Sequence, residues 1–109
     1  MTLTIEEQHK LTEFLGECWH EWMIEDIQGL PRYACRACLY ETYAHPTRLD
    51  FADWRVVGRL AVKAGGVDLE EDEGSWMCAV NKPGAPYVTY DAPEEAICRA
   101  VLAYLGGKS

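Results

Sequence analysis

In Leu15-Gly16-Glu17-Cys18-Trp19-His20-Glu21-Trp22 the chain either stays helical or stops at its glycine, and two different proteins follow. A continued helix satisfies the apolar pattern, because Leu11, Leu15, Cys18 and Trp22 recur at intervals of three and four. On that helix Cys18 and His20 point about 200° apart and cannot share an ion. A helix that stops at Gly16, a residue suited to a left-handed C-terminal cap, leaves Cys18-Trp19-His20 extended, with residues i and i+2 on one face. Beyond a 14-residue connector stands Cys35-Arg36-Ala37-Cys38. Two short pairs of soft ligands at this separation close a tetrahedral zinc site. The expectation is therefore a closed Cys3His site of Cys18, His20, Cys35 and Cys38, in which a structural zinc has no place for water. Such an ion contributes on the order of 10 kcal/mol to folding, comparable to the whole stability of a small domain. The competing arrangement leaves Cys18 as a core thiol, His20 in solvent and the Cys-x-x-Cys pair unligated.

Working outward, Thr4 caps a helix from about Ile5 to Leu15, with Glu7 reaching back in a capping box. Gln28-Gly29-Leu30-Pro31 signals a turn, and Leu39 to Tyr43 is rich in strand formers. A hairpin-like zinc knuckle over about 17–45 results. Ala44-His45-Pro46-Thr47-Arg48 reads as a loop, since the residue before proline is pushed out of helix. A second helix is expected from Asp50, its cap, to about Ala64, burying Phe51, Trp54, Val57, Leu60 and Ala61 and ending at Gly65-Gly66. Short strands follow over Val67 to Glu71, Ser75 to Asn81 and Tyr87 to Tyr90, the middle one expected to be covered on both sides. A last helix opens at Pro93 with Glu94 and Glu95 in its first turn, packs Ile97, Ala100, Val101, Tyr104 and Leu105 inward, and ends at Gly106-Gly107. This order predicts one α+β domain over 1–109: a small antiparallel sheet sandwiched between helices, with a structural zinc knuckle inserted after the first helix.

A chain of 109 residues makes one domain whose small core a bound metal helps to stabilise. Mean hydropathy of −0.22 and the short apolar runs argue against a membrane protein. The N-terminus carries neither a basic flank nor an apolar signal core, so residence in the cytoplasm of a host cell is expected. In that reducing compartment an odd count of five cysteines fits metal ligation and burial better than disulfides. The net charge is −8, but Arg32, Arg36, Arg48, Arg55, Arg59 and Lys63 face only Glu41, Asp50 and Asp53 between residues 32 and 63. A local positive segment on an acidic body is implied.

Several chemistries fail on spacing. The His20-Glu21 pair lacks the second histidine of a metalloprotease helix, because position 24 is Ile24. A thioredoxin-like Cys-x-x-Cys opens a helix, whereas strand-like residues follow Cys38. Cys78 and Cys98 lie on apolar faces and read as packed thiols. The run Asp68-Leu69-Glu70-Glu71-Asp72-Glu73 lacks the glycine and terminal glutamate of a calcium loop. Trp19, Trp22, Trp54 and Trp76 fit core and zinc-site packing. No phosphate loop, dinucleotide glycine motif or nucleophile elbow is present in the sequence.

The motifs Cys18-Trp19-His20-Glu21-Trp22 and Cys35-Arg36-Ala37-Cys38, followed by Asp50-Phe51-Ala52-Asp53-Trp54, resemble a group of small phage and phage-derived proteins with a Cys-x-His-Glu-Trp and Cys-x-x-Cys pattern. The second half resembles the phage ABA-sandwich domain family. The similarity lies at Pro46-Thr47, Asp50, Trp54-Arg55-Val56-Val57 with Leu60, Ser75-Trp76-Met77-Cys78, and Ala92-Pro93-Glu94-Glu95-Ala96-Ile97-Cys98-Arg99-Ala100. The resemblance implies a helix/sheet/helix sandwich encoded by phages and supplies no activity. One position departs from the usual knuckle: Leu39, where many have glycine, follows Cys38.

Three functions are compatible with these features. The first is a non-enzymatic phage or prophage accessory protein that binds a host or phage macromolecule through an acidic surface at Glu70, Glu71, Asp72 and Glu73, as an inhibitor or modulator. The second is a nucleic-acid-binding zinc module using Arg32, Arg36, Arg48, Arg55 and Arg59, opposed by the acidic whole. The third is a small-molecule binder with a pocket between sheet and helices.

Overall fold

The computed structural model describes residues 3–43 and 48–106. The elements follow the order α1 (Ile5–Phe14), β1 (Trp22–Ile27), β2 (Leu30–Cys35), β3 (Glu41–Thr42), α2 (Trp54–Lys63), β4 (Val67–Asp72), β5 (Ser75–Val80), β6 (Val88–Tyr90) and α3 (Pro93–Gly106). The α+β class is as expected, with three helices and two antiparallel three-stranded sheets, β1-β2-β3 and β4-β5-β6. The expected loop at Ala44 to Thr47, the end of the knuckle at His45, and the stop at Gly107 lie outside the described residues.

Local chemistry sets the first boundaries. The Thr4 hydroxyl accepts from the Glu7 amide at 3.1 Å, and the Glu7 carboxylate accepts from the Thr4 amide at 2.9 Å, completing the capping box. At the other end Gly16 has φ +81°, its amide donates to Glu13 O, and the Glu17 amide donates to Thr12 O. This six-to-one closure on a left-handed residue ends α1 where the sequence demands. The same closure ends α2, through Gly65 and Gly66.

The helix α2 begins later than expected. Asp53, not Asp50, is the cap, accepting from the Arg55 amide at 2.8 Å, while Asp50 accepts from Ala52 N in the preceding turn. Trp54, expected in the buried stripe, is 51% exposed. It lies at the first position of the helix, about 70° from the centre of the arc formed by Val57, Leu60, Ala61 and Ala64.

One core serves the body of the protein. Leu11 of α1, Val57 and Leu60 of α2, Cys78 and Val80 of β5, and Ile97, Ala100 and Val101 of α3 are buried together with Phe51. The helix α3 contacts all three strands of the second sheet and both other helices. On the far face of that sheet Asp68, Glu70 and Thr89 are exposed, although Ala79 of β5 is buried. The middle strand is thus covered on its core side by α3, and on the other face β4 presents the carboxylates of Asp68 and Glu70 while β6 presents Thr89.

The first sheet stands apart from this core. Its β1–β2 hairpin turns through Gln28 and Gly29, both with positive φ as in a type I′ turn, so Leu30 and Pro31 are already strand residues. Pro31 costs no ladder bond, because it sits opposite Asp26 one step from the turn-flanking pair Ile27–Leu30, where the backbone amide points away from β1. The strand expected over Leu39 to Tyr43 shrinks to Glu41–Thr42, because Leu39 (φ +64°) is spent in a turn. Among the described residues this sheet buries only Ala34 and Cys35, while Ile24, Ile27 and Leu30 are exposed. Its protrusion gives the chain a 56 Å long axis and a radius of gyration of 16.6 Å, against about 13 Å for a compact domain of this size.

Candidate metal centre

Cys18, His20, Cys35 and Cys38 converge at the base of the protruding sheet, their ligand atoms all within 4.8 Å of one another. The cluster can hold a metal ion. Cys18 Sγ lies 3.7 Å from Cys35 Sγ, and Cys38 Sγ lies 3.3 Å from His20 Nδ1.

The hairpin register makes this meeting. Trp22 pairs with Cys35, and one step beyond the strand pair the Arg36 amide donates to Glu21 O at 3.0 Å. The residues just before β1 are thereby laid against those just after β2. Each half then curls in the same way. The His20 amide donates to Cys18 Sγ at 3.4 Å and the Ala37 amide donates to Cys35 Sγ at 3.3 Å.

The expected extended strand through Cys18 and His20 does not form. His20 has φ +58°, and residues 17–21 are irregular. A left-handed turn replaces i,i+2 strand geometry because it lets the His20 amide reach the sulfur while the ring folds back toward Cys38. Leu39 plays the corresponding part in the second half. Its amide donates to Cys35 O at 3.0 Å, and the Cys35 amide donates to Tyr40 O at 2.8 Å. The turn that glycine usually makes is formed here by a leucine in the left-handed region, a conformation costing roughly 1–2 kcal/mol.

The sulfurs are in unequal surroundings. Burial pushes the Cys35 thiol up, but the amide of Cys38, the His20 ring and the amides of Ala37 and Glu21 outweigh it and bring the pKa down to about 6. For Cys18 the His20 amide pulls down, yet burial and the neighbouring sulfurs of Cys38 and Cys35 leave it raised. A thiolate at Cys35 is the species that ligates metal. The other two cysteines are removed from this chemistry: burial raises Cys78 to about 11 and Cys98 to about 12, and both pack in the core as expected.

Aromatic groups that the sequence reading assigned only in general terms have particular positions around the cluster. The His20 ring packs on Trp22 at 4.7 Å and on Tyr40 at 5.7 Å between centroids, and Trp22 meets Tyr40 edge-on. Trp19, between the first two ligands, is stacked on His9 of α1 at 4.8 Å, and the Arg48 guanidinium covers its ring at 3.8 Å. This three-layer stack ties the cluster to the helical body. Trp76 packs against the core.

The remaining candidates are dispersed. Glu70, Glu71, Asp72 and Glu73 are all exposed along β4 and its turn, as the acidic-surface reading requires. The arginines of the nucleic-acid reading do not form one patch of unpaired cations. Arg32 bridges Glu25 at 2.7 Å and Glu41 at 3.0 Å, Arg48 covers Trp19, Arg55 pairs with Asp53 at 2.8 Å and Arg59 pairs with Glu17. Arg36 is exposed beside the cluster. For the small-molecule reading, an open groove of about 910 Å³ runs between α1, β6 and α3, lined by Phe14, Val88, Leu102 and the Glu7–Arg99 ion pair among others. No helix among the described residues is long and apolar enough to cross a membrane.

Comparison with protein-family models, with curated proteins and with solved structures finds no match to this chain.

Proposed function

We propose that this chain is a non-enzymatic, zinc-stapled binding protein, an accessory protein of a phage or prophage that acts in the host cytoplasm by engaging a macromolecule through its acidic face. The observation that carries the zinc is the mutual distance of the four donors. A tetrahedral ion with Zn–S bonds of about 2.3 Å separates its sulfurs by about 3.8 Å. The 3.7 Å between Cys18 and Cys35 and the 3.3 Å between Cys38 and His20 fit that cage before any ion is added. Three sulfurs and an imidazole nitrogen are the donor set of structural zinc, and four protein ligands leave no place for a reactive water.

A staple is also what the protruding sheet needs. Three short strands with two buried residues cannot hold themselves together in water, and an ion joining both ends of the hairpin supplies the missing core. For recognition, β4 is an edge strand whose consecutive carboxylates Glu70, Glu71, Asp72 and Glu73 enter no ion pair among the described residues. Their charges keep the free edge from pairing with other strands and attract a basic partner surface.

Native mass spectrometry tests the first half: one zinc per chain, lost to chelator, is expected, and a chain isolated metal-free that binds none on titration refutes it. For the second half, a partner captured from infected cells is expected to dissociate with rising salt and to be lost on reversal of Glu70, Glu71 and Asp72 to lysine. A complex indifferent to both overturns the acidic-face assignment.

A further inference from the structure

The outer face of α2 carries three features that work against the stability of an isolated helix. Trp54 is 51% exposed and Val62 80% exposed, and between them Gly58 occupies the middle of the helix. A mid-helix glycine weakens a helix relative to alanine, and a Cβ at Gly58 would meet nothing within 4 Å among the described residues, so no described neighbour requires glycine there. These residues stand at i, i+4 and i+8 and form one stripe about 12 Å long. Beside it, displaced by one residue each, run Arg55, Arg59 and Lys63. A shallow groove of about 590 Å³ follows this face and is bounded at one side by Leu15.

We propose that this face docks a partner helix that is acidic and amphipathic, with a bulky apolar side chain seated over Gly58 between Trp54 and Val62. Each feature then has a use. The bare backbone at Gly58 admits close approach, Trp54 and Val62 wall the seat, and the cations, about 6 Å apart along the axis, meet carboxylates repeated every four residues on the partner. Charge selects the partner: on a chain of net charge −8 this is a concentrated row of cations, so it favours an acidic ligand that makes local contact within a screening length of about 10 Å. Arg55 already pairs with Asp53 and Arg59 with Glu17, but the Arg55 side chain is 91% exposed and the Arg59 side chain 47%. Exposed pairs of this kind are weak, so partner carboxylates exchange with them readily. A nucleic-acid backbone uses the cations but leaves the apolar stripe without a role.

The test is an NMR titration of the full chain with a synthetic helical peptide of about 16 residues, leucines on one face and glutamates flanking them. Saturable shifts are expected at the Trp54 indole and the Gly58 and Val62 amides. Lys63→Glu is expected to weaken binding by about tenfold or more. Gly58→Leu fills the seat and is expected to abolish binding while raising the thermal midpoint, so that loss of binding cannot be ascribed to unfolding. The proposal is overturned if the peptide shifts no α2 resonance or if a leucine-free polyglutamate binds as well. It is equally overturned if a single-stranded oligonucleotide binds the same residues more tightly, or if they shift with protein concentration alone, which would identify a second copy as the occupant.

Discussion

With zinc in the proposed site, removing the ion is expected to unfold one part of this protein and leave the other standing. The core cluster and the side chains packed on it draw no member from residues 17–43, so the body of α1, α2, α3 and the β4-β5-β6 sheet keeps its apolar packing without the ion. The β1-β2-β3 sheet has only Ala34 and Cys35 buried and, among the described residues, no packing partner of comparable extent. A structural zinc contributes about 10 kcal/mol under neutral conditions. At about 1.4 kcal/mol per decade, its loss shifts the opening equilibrium of the small sheet by roughly seven powers of ten. Amide hydrogen exchange before and after chelation reads this directly. Protection over 22–42 collapses to the level of an unfolded chain, while the amides of β5 and α3 change little; Cys38→Ser behaves in the same direction. If chelation strips the ion and the β1–β2 amides keep their protection to within about tenfold, the ion is not what holds the sheet and the reasoning fails.

Three further outcomes follow from local geometry. Leu39→Gly removes a left-handed leucine and is expected to stabilise the metal-bound sheet by roughly 0.5–1 kcal/mol after the entropy of glycine is counted, read as tighter zinc retention against a competing chelator. Leu60→Ala, at a fully buried position shared by α2 and the core, costs about 2–5 kcal/mol in denaturant while zinc stoichiometry stays at one. Glu7 carries the pH dependence of the α1 cap: the Thr4 amide first, and then Arg99, hold its carboxyl below the ordinary 4.5 against the opposing effect of burial. Because the folded value is the lower one, this contribution is present above pH 4.5 and is lost as pH falls through the folded value. Glu7→Gln therefore destabilises at pH 7 and costs progressively less as the pH falls below 4.5, and a penalty that does not change with falling pH refutes the assignment.

The cap at Thr4, the stop at Gly16, the glycine pair closing α2, and the opening of α3 at Pro93 were all legible in the sequence, because each depends on a few neighbouring residues and on backbone conformations that only certain side chains favour. The three strands over 67–90 were legible for the same reason, with Glu73-Gly74 turning as its two positive φ values require. The clustering of Cys18, His20, Cys35 and Cys38 was legible as a pattern in their spacing. Their conformation was not. Whether Cys18 and His20 meet on a strand or through a left-handed turn depends on which geometry brings an amide to the sulfur, and on a hairpin register set by the Gln28-Gly29 turn rather than by the ligands. The start of α2 was misplaced because Asp50 and Asp53 are chemically equal caps. Only the packing of Phe51 into the core, outside the helix, separates them.

Neighbouring residues settle the local features: helix ends, turns, the four clustered donors and the charge of each segment. Tertiary structure alone decided which faces these elements share. It divided the strands into two sheets, one built on the core and one standing away from it, and left Trp54, Gly58 and Val62 on the outside of a helix whose periodicity also fits burial. The physical reason is the same throughout. Caps, turns and ligand types are contests between a residue and its near neighbours, whereas burial depends on surfaces that meet only after distant segments have folded together.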